Sequence, residues 1–401
     1  MRRILRTYRD AFEGLPREVW WLAAVTLVNR SGTMVLPFLV LYLTRERGYG
    51  IDEAGLFLAL YGLGSIGGTL LGGKLVDRIG SKPVQVASLV ATGLTLFLLA
   101  FLRSPYLLGA TITLLAAVTE AFRPANSSAV AAATSDELRA RAYGLQRLAI
   151  NLGFSLGPAL GGLLAQVDYT LLFWVDGATC LAAAGLLAAT VRAHPAPSRA
   201  QRDEAVRSGR SPWRDRTFLV FFLLIFPQGL VFFQVQGTLV YFLRDERGFS
   251  EGAIGLLMAI NTLLIVAFEM VLIRRVERRD PLLVIALASL LYGVGYGLLP
   301  YGVGFAFVAG TIAVWTLGEM LGVPMMTHFT ASRADASNRG RYMGLFGMSF
   351  AGAQLLAPLL GTWTYDAWGS TWVWTGCFAL CTASAVGLVA LSRSARPVEV
   401  A

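Results

Sequence analysis

The sequence predicts an all-α polytopic membrane protein, with twelve transmembrane helices in two pseudo-symmetric six-helix bundles. Three observations predict this fold class: the composition, the length of the apolar runs and a repeat between the two halves. Of the 401 residues, 55% are hydrophobic and only 15% are charged, and the charged residues are bunched between apolar runs. A water-soluble protein of this length carries more charge, so we expect the chain to lie in a lipid bilayer.

The apolar runs are about 20 to 28 residues long, enough at about 1.5 Å per residue to cross a hydrocarbon core of about 30 Å. Backbone groups in lipid must be paired within their own segment, so runs of this length are helices. The runs occupy residues 17–43, 52–73, 84–102, 105–133, 142–166, 169–191, 217–243, 252–273, 281–300, 303–331, 342–364 and 369–391.

The net charge of +9 is distributed as expected for a membrane protein rather than for a nucleic-acid-binding protein. With the N-terminus placed inside, 26 of the 34 Lys and Arg residues lie in inner segments and five lie in outer loops. This asymmetry predicts that both termini are cytoplasmic. Arginine outnumbers lysine 32 to 2, which favours a GC-rich bacterial genome and hence a bacterial inner membrane.

The second half of the chain repeats the first at a constant offset of 200 residues. The stretch LTRERGYG at 43–50 returns as LRDERGFS at 243–250, and Pro158 returns as Pro358. A parallel repeat predicts two six-helix halves with a substrate site near the midplane between them. The predicted divisions are an N-terminal bundle at 1–192, a cationic linker at 193–216 and a C-terminal bundle at 217–401.

The stretch GKLVDRIGSK follows the second helix. Gly73 allows close helix approach, and Gly80 permits the turn. Asp77 can accept hydrogen bonds from a facing helix N-terminus or an Arg, while Arg78 and Lys82 can satisfy helix-end carbonyls. The stretch resembles the helix 2–3 signature of the major facilitator superfamily, and this resemblance implies a conformational latch. An ordinary basic inner loop with a turn glycine is the alternative.

Helix five contains NLGFSLGPALGG, which presents a face of small residues and a helix-bending proline. It is similar to a motif of proton-coupled antiporters in this superfamily, and ordinary small-residue packing is the alternative. The residues that match are Gly153, Gly157, Pro158, Gly161 and Gly162.

Charged side chains inside the apolar runs are functional candidates, because each costs about 2.5–3.5 kcal/mol at the bilayer centre. Glu319 lies in WTLGEMLGVP of helix ten, which resembles a T-L-G-E stretch of some multidrug:proton antiporters. No positive residue stands within one turn of it on its own helix, so we expect Glu319 to carry the coupling proton. Glu120 and Arg123 form an i, i+3 pair that is either structural or part of coupling. Asp176 lies toward the outer end of helix six, where its carboxylate either serves a function or reaches the polar interface.

Polar and aromatic residues at other positions in the runs could line a substrate cavity. A pair between Glu319 and Arg30 or Arg123 is a further possibility. The predicted substrate-binding residues are Asn29, Arg30, Arg147, Asn151, Gln228, Gln234, Gln236 and Trp315.

These features favour proton-driven export of amphipathic small molecules by a chain that works as a monomer. Proton symport of a zwitterion such as a short peptide, or organic-anion export, would also suit the intramembrane arginines. A receptor or a membrane enzyme is disfavoured, because the sequence contains no nucleotide-binding loop or nucleophile constellation. With two histidines and three cysteines that lack metal or disulfide spacing, we expect no metal site and no cofactor.

Overall fold

The computed structural model describes residues 12–193, 211–334 and 338–394. Within these residues it is entirely helical apart from turns and loops, and twelve helices are long and apolar enough to cross a membrane, as the sequence predicts. We label them α1 to α12: Arg17–Glu46, Ile51–Ile79, Ser81–Phe101, Pro105–Ala132, Glu137–Ala165, Thr170–Thr190, Arg216–Gln236, Glu251–Val276, Pro281–Tyr301, Phe305–Ser332, Arg341–Trp368 and Ser370–Ser394. Most of the predicted linker, residues 194–210, lies outside the described residues.

Two helices that the sequence predicts as continuous are interrupted, and they begin the two halves. Helix α1 consists of Arg17–Ser31 and Val35–Leu41, and the second piece continues as a π-helical turn at Tyr42–Glu46. Helix α7 runs from Arg216 to Phe232, changes to a 3₁₀ turn at Phe233–Gln236 and is followed by a separate helix, Thr238–Asp245. The two interruptions lie close to the 200-residue offset. Discontinuous helices of this kind form the substrate sites of many transporters.

Helix α4 also divides, into Pro105–Glu120 and Phe122–Ala132. Pro124 has no N–H, so the carbonyl of Glu120 loses its partner one turn later and the helix breaks near this point. The sequence predicts a single helix here, and the division places Glu120 at the end of the first piece.

The repeated loops at 43–50 and 243–250 have the same backbone conformation. Gly48 and Gly248 have φ angles of +71° and +67°, which side-chain-bearing residues rarely adopt. The next N–H, of Tyr49 or Phe249, donates to the carbonyl of Leu43 or Leu243 at 3.1 and 3.0 Å respectively. The repeated sequence therefore specifies one helix-ending turn, used once in each half.

The backbone divides into two compact units. Within the described residues, unit one contains residues 12–36 and 60–193, and unit two contains residues 37–59 together with all residues from 211 onward. Residues 37–46 of α1 and 51–59 of α2 thus belong to unit two. The domain boundaries after residues 192 and 216 remain a prediction.

Close helix approach in unit one depends on a glycine stripe of α2. A Cβ atom on Gly64 or Gly68 would lie 2.1 Å from a backbone carbonyl oxygen of α4, and Gly72 continues the stripe. Small residues allow two backbones to meet in this way. The sequence predicts this role for Gly73, but a Cβ atom there would meet nothing within 4 Å. The close contact is made by the neighbouring residue, because Gly73 is rotated about 100° away around the helix.

Candidate functional site

The turn between α2 and α3 carries the predicted latch residues. Gly80 has a φ of +86° and separates the two helices, and the Nζ of Lys82 donates to the carbonyl of Ala188 at 2.9 Å, near the end of α6. Arg78 is exposed, and Asp77 is half-buried without a side-chain hydrogen bond to any residue that the structure describes. Asp77 was predicted to accept such bonds; the structure shows the turn and the Lys82 contact, and the latch role of Asp77 stays a prediction.

Asn29 and Arg30 end the first piece of α1, directly before its interruption. The buried amide of Asn29 donates to the Sγ of Cys180 on α6 at 3.4 Å. The guanidinium of Arg30 lies 5.4 Å above the ring of Phe154 on α5, within the range of a cation–π contact. Its Nε is buried and has no hydrogen-bond partner among the described residues. Arg30 therefore retains unused hydrogen-bonding capacity at this point.

The glycine face of α5 packs directly against this part of α1. A Cβ atom on Gly153 would lie 2.4 Å from the Cβ of Arg30, and one on Gly157 would lie 2.7 Å from the carbonyl oxygen of Thr33. Pro158, Gly161 and Gly162 are also buried. The motif thus brings α5 against the interrupted backbone of α1.

Glu120 and Arg123 form the ion pair that their spacing predicts, with 3.6 Å between Arg123 Nε and Glu120 Oε2. The Glu120 side chain is 13% exposed and that of Arg123 is 73% exposed, so the carboxylate is the buried member. The fully buried hydroxyl of Tyr61 lies within electrostatic range of this pair and of Arg30. Sequence reasoning missed Tyr61, although it stands 200 residues before Asn261.

Arg147 and Asn151 lie one turn apart on α5, and both are half-buried. Asn151 is two residues from Gly153, so the structure places it near the α5–α1 contact along the chain. The substrate-binding roles of both residues remain predictions.

In unit two, Glu319 on α10 is held by a neighbouring helix. The Nδ2 of Asn261 on α8 donates to Glu319 Oε2 at 3.0 Å and to the hydroxyl of Thr316 at 2.9 Å. Thr316 itself donates to the carbonyl of Ile312, which fixes its rotamer. Glu319 is half-buried. A neutral amide thus positions this carboxylate inside the membrane-spanning part of the chain.

Trp315, predicted to offer a stacking surface, instead belongs to a packed aromatic cluster. It is 3% exposed, and its ring centroid lies 5.4 Å from that of Tyr296 and 6.4 Å from that of Tyr292. Tyr296 stacks in turn on Trp374 at 6.0 Å. Because neighbouring helices cover both the rings and the edges, Trp315 contributes to packing in this conformation.

The side chains of two of the three predicted glutamines form hydrogen bonds within unit two. Gln228 is 2% exposed and donates to the carbonyl of Ile285 at 3.3 Å. Gln234 donates to the carbonyl of Ala357 at 2.9 Å and accepts from the hydroxyl of Thr238 at 2.7 Å. These contacts differ from the predicted cavity-lining role, since both amides satisfy helix backbones. Gln236 is half-buried in the 3₁₀ turn.

No group of three or more His, Cys, Asp and Glu side chains that could hold a metal ion occurs among the described residues. The three cysteines are free and buried.

Comparisons with known proteins agree with the twelve-helix fold. The family model of the Major Facilitator Superfamily matches residues 22–353. The chain is 25% identical to a Na(+), Li(+), K(+)/H(+) antiporter of Planococcus maritimus, with 88% of this chain and 91% of that protein covered. It is 27% identical to the multidrug resistance protein MdtH of Edwardsiella ictaluri, with 83% of this chain and 82% of that protein covered.

Solved transporter structures share the fold at lower identity. A POT family transporter in complex with 5-aminolevulinic acid has a TM-score of 0.80 and 17% identity, with 96% of this chain and 97% of that chain covered. The nucleoside transporter NupG has a TM-score of 0.78 and 14% identity, with 94% and 100% covered. The family model spans most of the twelve helices, and the chain therefore belongs to the major facilitator superfamily of membrane transporters.

Proposed function

We propose that this transporter exports amphipathic small molecules in exchange for protons, by alternating access, and that Glu319 carries the coupling proton. The observation that carries the proposal is the contact between Asn261 and Glu319. A carboxylate within a membrane-spanning helix is costly and is retained where it binds an ion, a proton or a substrate. A neutral donor orients such a group and leaves it able to bind and release a proton.

Glu120 and Arg123 are the second candidates for coupling. The carboxylate of Glu120 is paired with the guanidinium of Arg123, with 3.6 Å between Oε2 and Nε. Glu120 and Arg123 therefore serve coupling only through breaking of that pair, and we place them second to Glu319. One relative is named a cation/H(+) antiporter, which agrees with proton exchange, and another is named a multidrug resistance protein, which agrees with a small-molecule substrate.

A second candidate substrate is a monovalent metal cation. The relative from Planococcus maritimus is named a Na(+), Li(+), K(+)/H(+) antiporter, and the match covers 88% of this chain. The Nδ2 of Asn261 donates to a carboxylate oxygen of Glu319 and to the hydroxyl oxygen of Thr316, so these two oxygens lie close together. Oxygen atoms of this kind are ligands for such ions. This reading keeps the proton role of Glu319 and changes only the exchanged solute.

We further propose that the protein works as a monomer in a bacterial inner membrane, with both termini cytoplasmic. The concentration of Lys and Arg in alternate loops supports the cytoplasmic position of the termini.

The test uses everted membrane vesicles whose lumen is acidified by respiration and followed with a pH-sensitive dye. Cationic drugs, Na⁺ or K⁺, organic anions and dipeptides are added in turn. We expect one class to release lumenal protons with the wild type, and Glu319→Gln to abolish this release because an amide cannot carry the proton. Asn261→Ala should slow release about tenfold, through the loss of one hydrogen bond to a charged acceptor.

The matched control is Asp366→Asn, which neutralises an exposed carboxylate on α11 of the same unit. It should release protons like the wild type. Proton release by Glu319→Gln at the wild-type rate would contradict the assignment. Uptake of dipeptides together with protons into right-side-out cells would instead support zwitterion symport.

A further inference from the structure

Asp176 is a buried carboxylate that the proposed transport cycle has not used. It lies on α6 and is only 7% exposed. Its Oδ2 accepts hydrogen bonds from two backbone N–H groups of α1, those of Met34 at 3.3 Å and Val35 at 3.4 Å. These N–H groups lie where the second piece of α1 begins. Asp176 therefore contacts the interruption itself.

The interruption needs such an acceptor. The first N–H groups of any helical segment have no partner within the segment, and leaving them unpaired away from water is costly. A carboxylate is a stronger acceptor for them than a neutral oxygen. The guanidinium of Arg30, on the other side of the interruption, also lies within electrostatic range of this carboxylate.

The same face of α6 makes two more contacts with α1. A Cβ atom on Gly32 would lie 1.6 Å from the hydroxyl of Thr179, so the side chain of Thr179 packs tightly against the interruption. Cys180, one turn after Asp176, accepts the amide hydrogen of Asn29. On another side, Gly153 and Gly157 of α5 meet Arg30 and Thr33. The interrupted segment is thus enclosed by α5 and α6.

We propose that Asp176 is a positioning residue, whose carboxylate holds the interrupted segment of α1 and thereby fixes the direction of Arg30 and Asn29. The consequence for transport rests on the proposed function and on the predicted binding of substrate by those two residues. The structural part, that Asp176 fixes the segment, does not depend on what is transported.

The structural part has a direct test in the purified protein. In Asp176→Asn, the amides of Met34 and Val35 should exchange with deuterium about tenfold faster, since a neutral oxygen is a weaker acceptor. The thiol of Cys180, now 1% exposed, should react faster with N-ethylmaleimide. Cys377 and Cys381 lie in unit two and serve as internal controls that should not change.

Asp168→Asn is the matched control variant. Asp168 also accepts a backbone N–H, that of Thr170 at 2.7 Å, but it is exposed and precedes α6. It should leave both the exchange of α1 and the reactivity of Cys180 unchanged. Equal exchange and alkylation in Asp176→Asn and the wild type would overturn the proposal.

The transport readout separates positioning from a direct role. We expect Asp176→Asn to raise the KM for the substrate several-fold with a smaller effect on the maximal rate, and Asp176→Glu to restore part of the loss. A variant that binds substrate with unchanged affinity but releases no protons would show that Asp176 itself carries the proton, and would overturn a positioning role.

If Asp176→Asn does not fold, the wild type still decides. The Met34 and Val35 amides should exchange slowly, although they begin a helix, and rapid exchange of both would contradict the proposal. The two proposals can also fail separately. If Cys180 is alkylated faster in Asp176→Asn but the wild type transports none of the tested solutes, the role of Asp176 is supported and the proposed substrate class is wrong.

Discussion

The interrupted helices that begin the two halves, α1 and α7, are held to their neighbours by different chemistry. In α1 the acceptor for the free N–H groups is a carboxylate on another helix, Asp176 of α6. In α7 a residue of the 3₁₀ turn itself, Gln234, donates to the carbonyl of Ala357 on α11 and accepts from Thr238. One interruption is held by an ionisable group and the other by a neutral amide.

The packing around the interruptions differs at equivalent positions. Gly153 and Gly157 of α5 correspond, at the 200-residue offset, to Ala353 and Ala357 of α11. The glycines allow α5 to touch the backbone of α1, whereas both alanines are fully buried beside Phe233. The repeat has kept the interruption, and the halves have diverged in what holds it.

The largest expected effect tests the neutral interruption. Gln234→Leu should lower the free energy of unfolding by about 2–4 kcal/mol, since it leaves the Ala357 carbonyl and the Thr238 hydroxyl buried without this partner. Thermal unfolding in detergent measures the change. Gln236→Leu, in the same turn but half-buried, is the control and should change stability little. Equal stability of both variants would show that Gln234 does not hold the interruption of α7.

A smaller effect is expected at the glycine contact. Gly157→Ala should cost about 1–3 kcal/mol, because its Cβ atom would lie 2.7 Å from the carbonyl oxygen of Thr33 and the backbone of α1 must move. Gly144→Ala on the same helix has only an ordinary contact at 3.8 Å and should be neutral or slightly stabilising. If the two variants unfold at the same temperature, the close approach of α5 and α1 is not a constraint.

The smallest effect concerns the repeated loops at 43–50 and 243–250. Arg45 and Asp245 stand at equivalent positions of the two loops and form an ion pair within unit two. The side chains are 47% and 39% exposed, so a double-mutant cycle of Arg45→Ala and Asp245→Ala should give a coupling of only about 0.2–1 kcal/mol. High salt should reduce the coupling further. A coupling that salt does not change would point to a less exposed pair than the structure shows.

Much of this molecule was predictable because the relevant physics is local or one-dimensional. The twelve spans follow from the length of the apolar runs, and the two helix-ending turns follow from Gly48 and Gly248 within the repeated loops. The pairing of Glu120 with Arg123 follows from their spacing on one helix. Glu319 stands out on its own, since few charged residues occur in the spans.

The class, the repeat and the list of polar groups within the spans can all be read from the sequence. Which neighbour each group meets depends on how the helices pack: Asp176 contacts the interruption of α1, Asn261 contacts Glu319, and Gln228 and Gln234 contact backbone carbonyls. The physical reason is that lipid and protein interior are both apolar, so hydrophobic periodicity does not reveal which face of a membrane helix is buried. Helix packing between residues far apart in the sequence sets the partners, so no local sequence pattern predicts them.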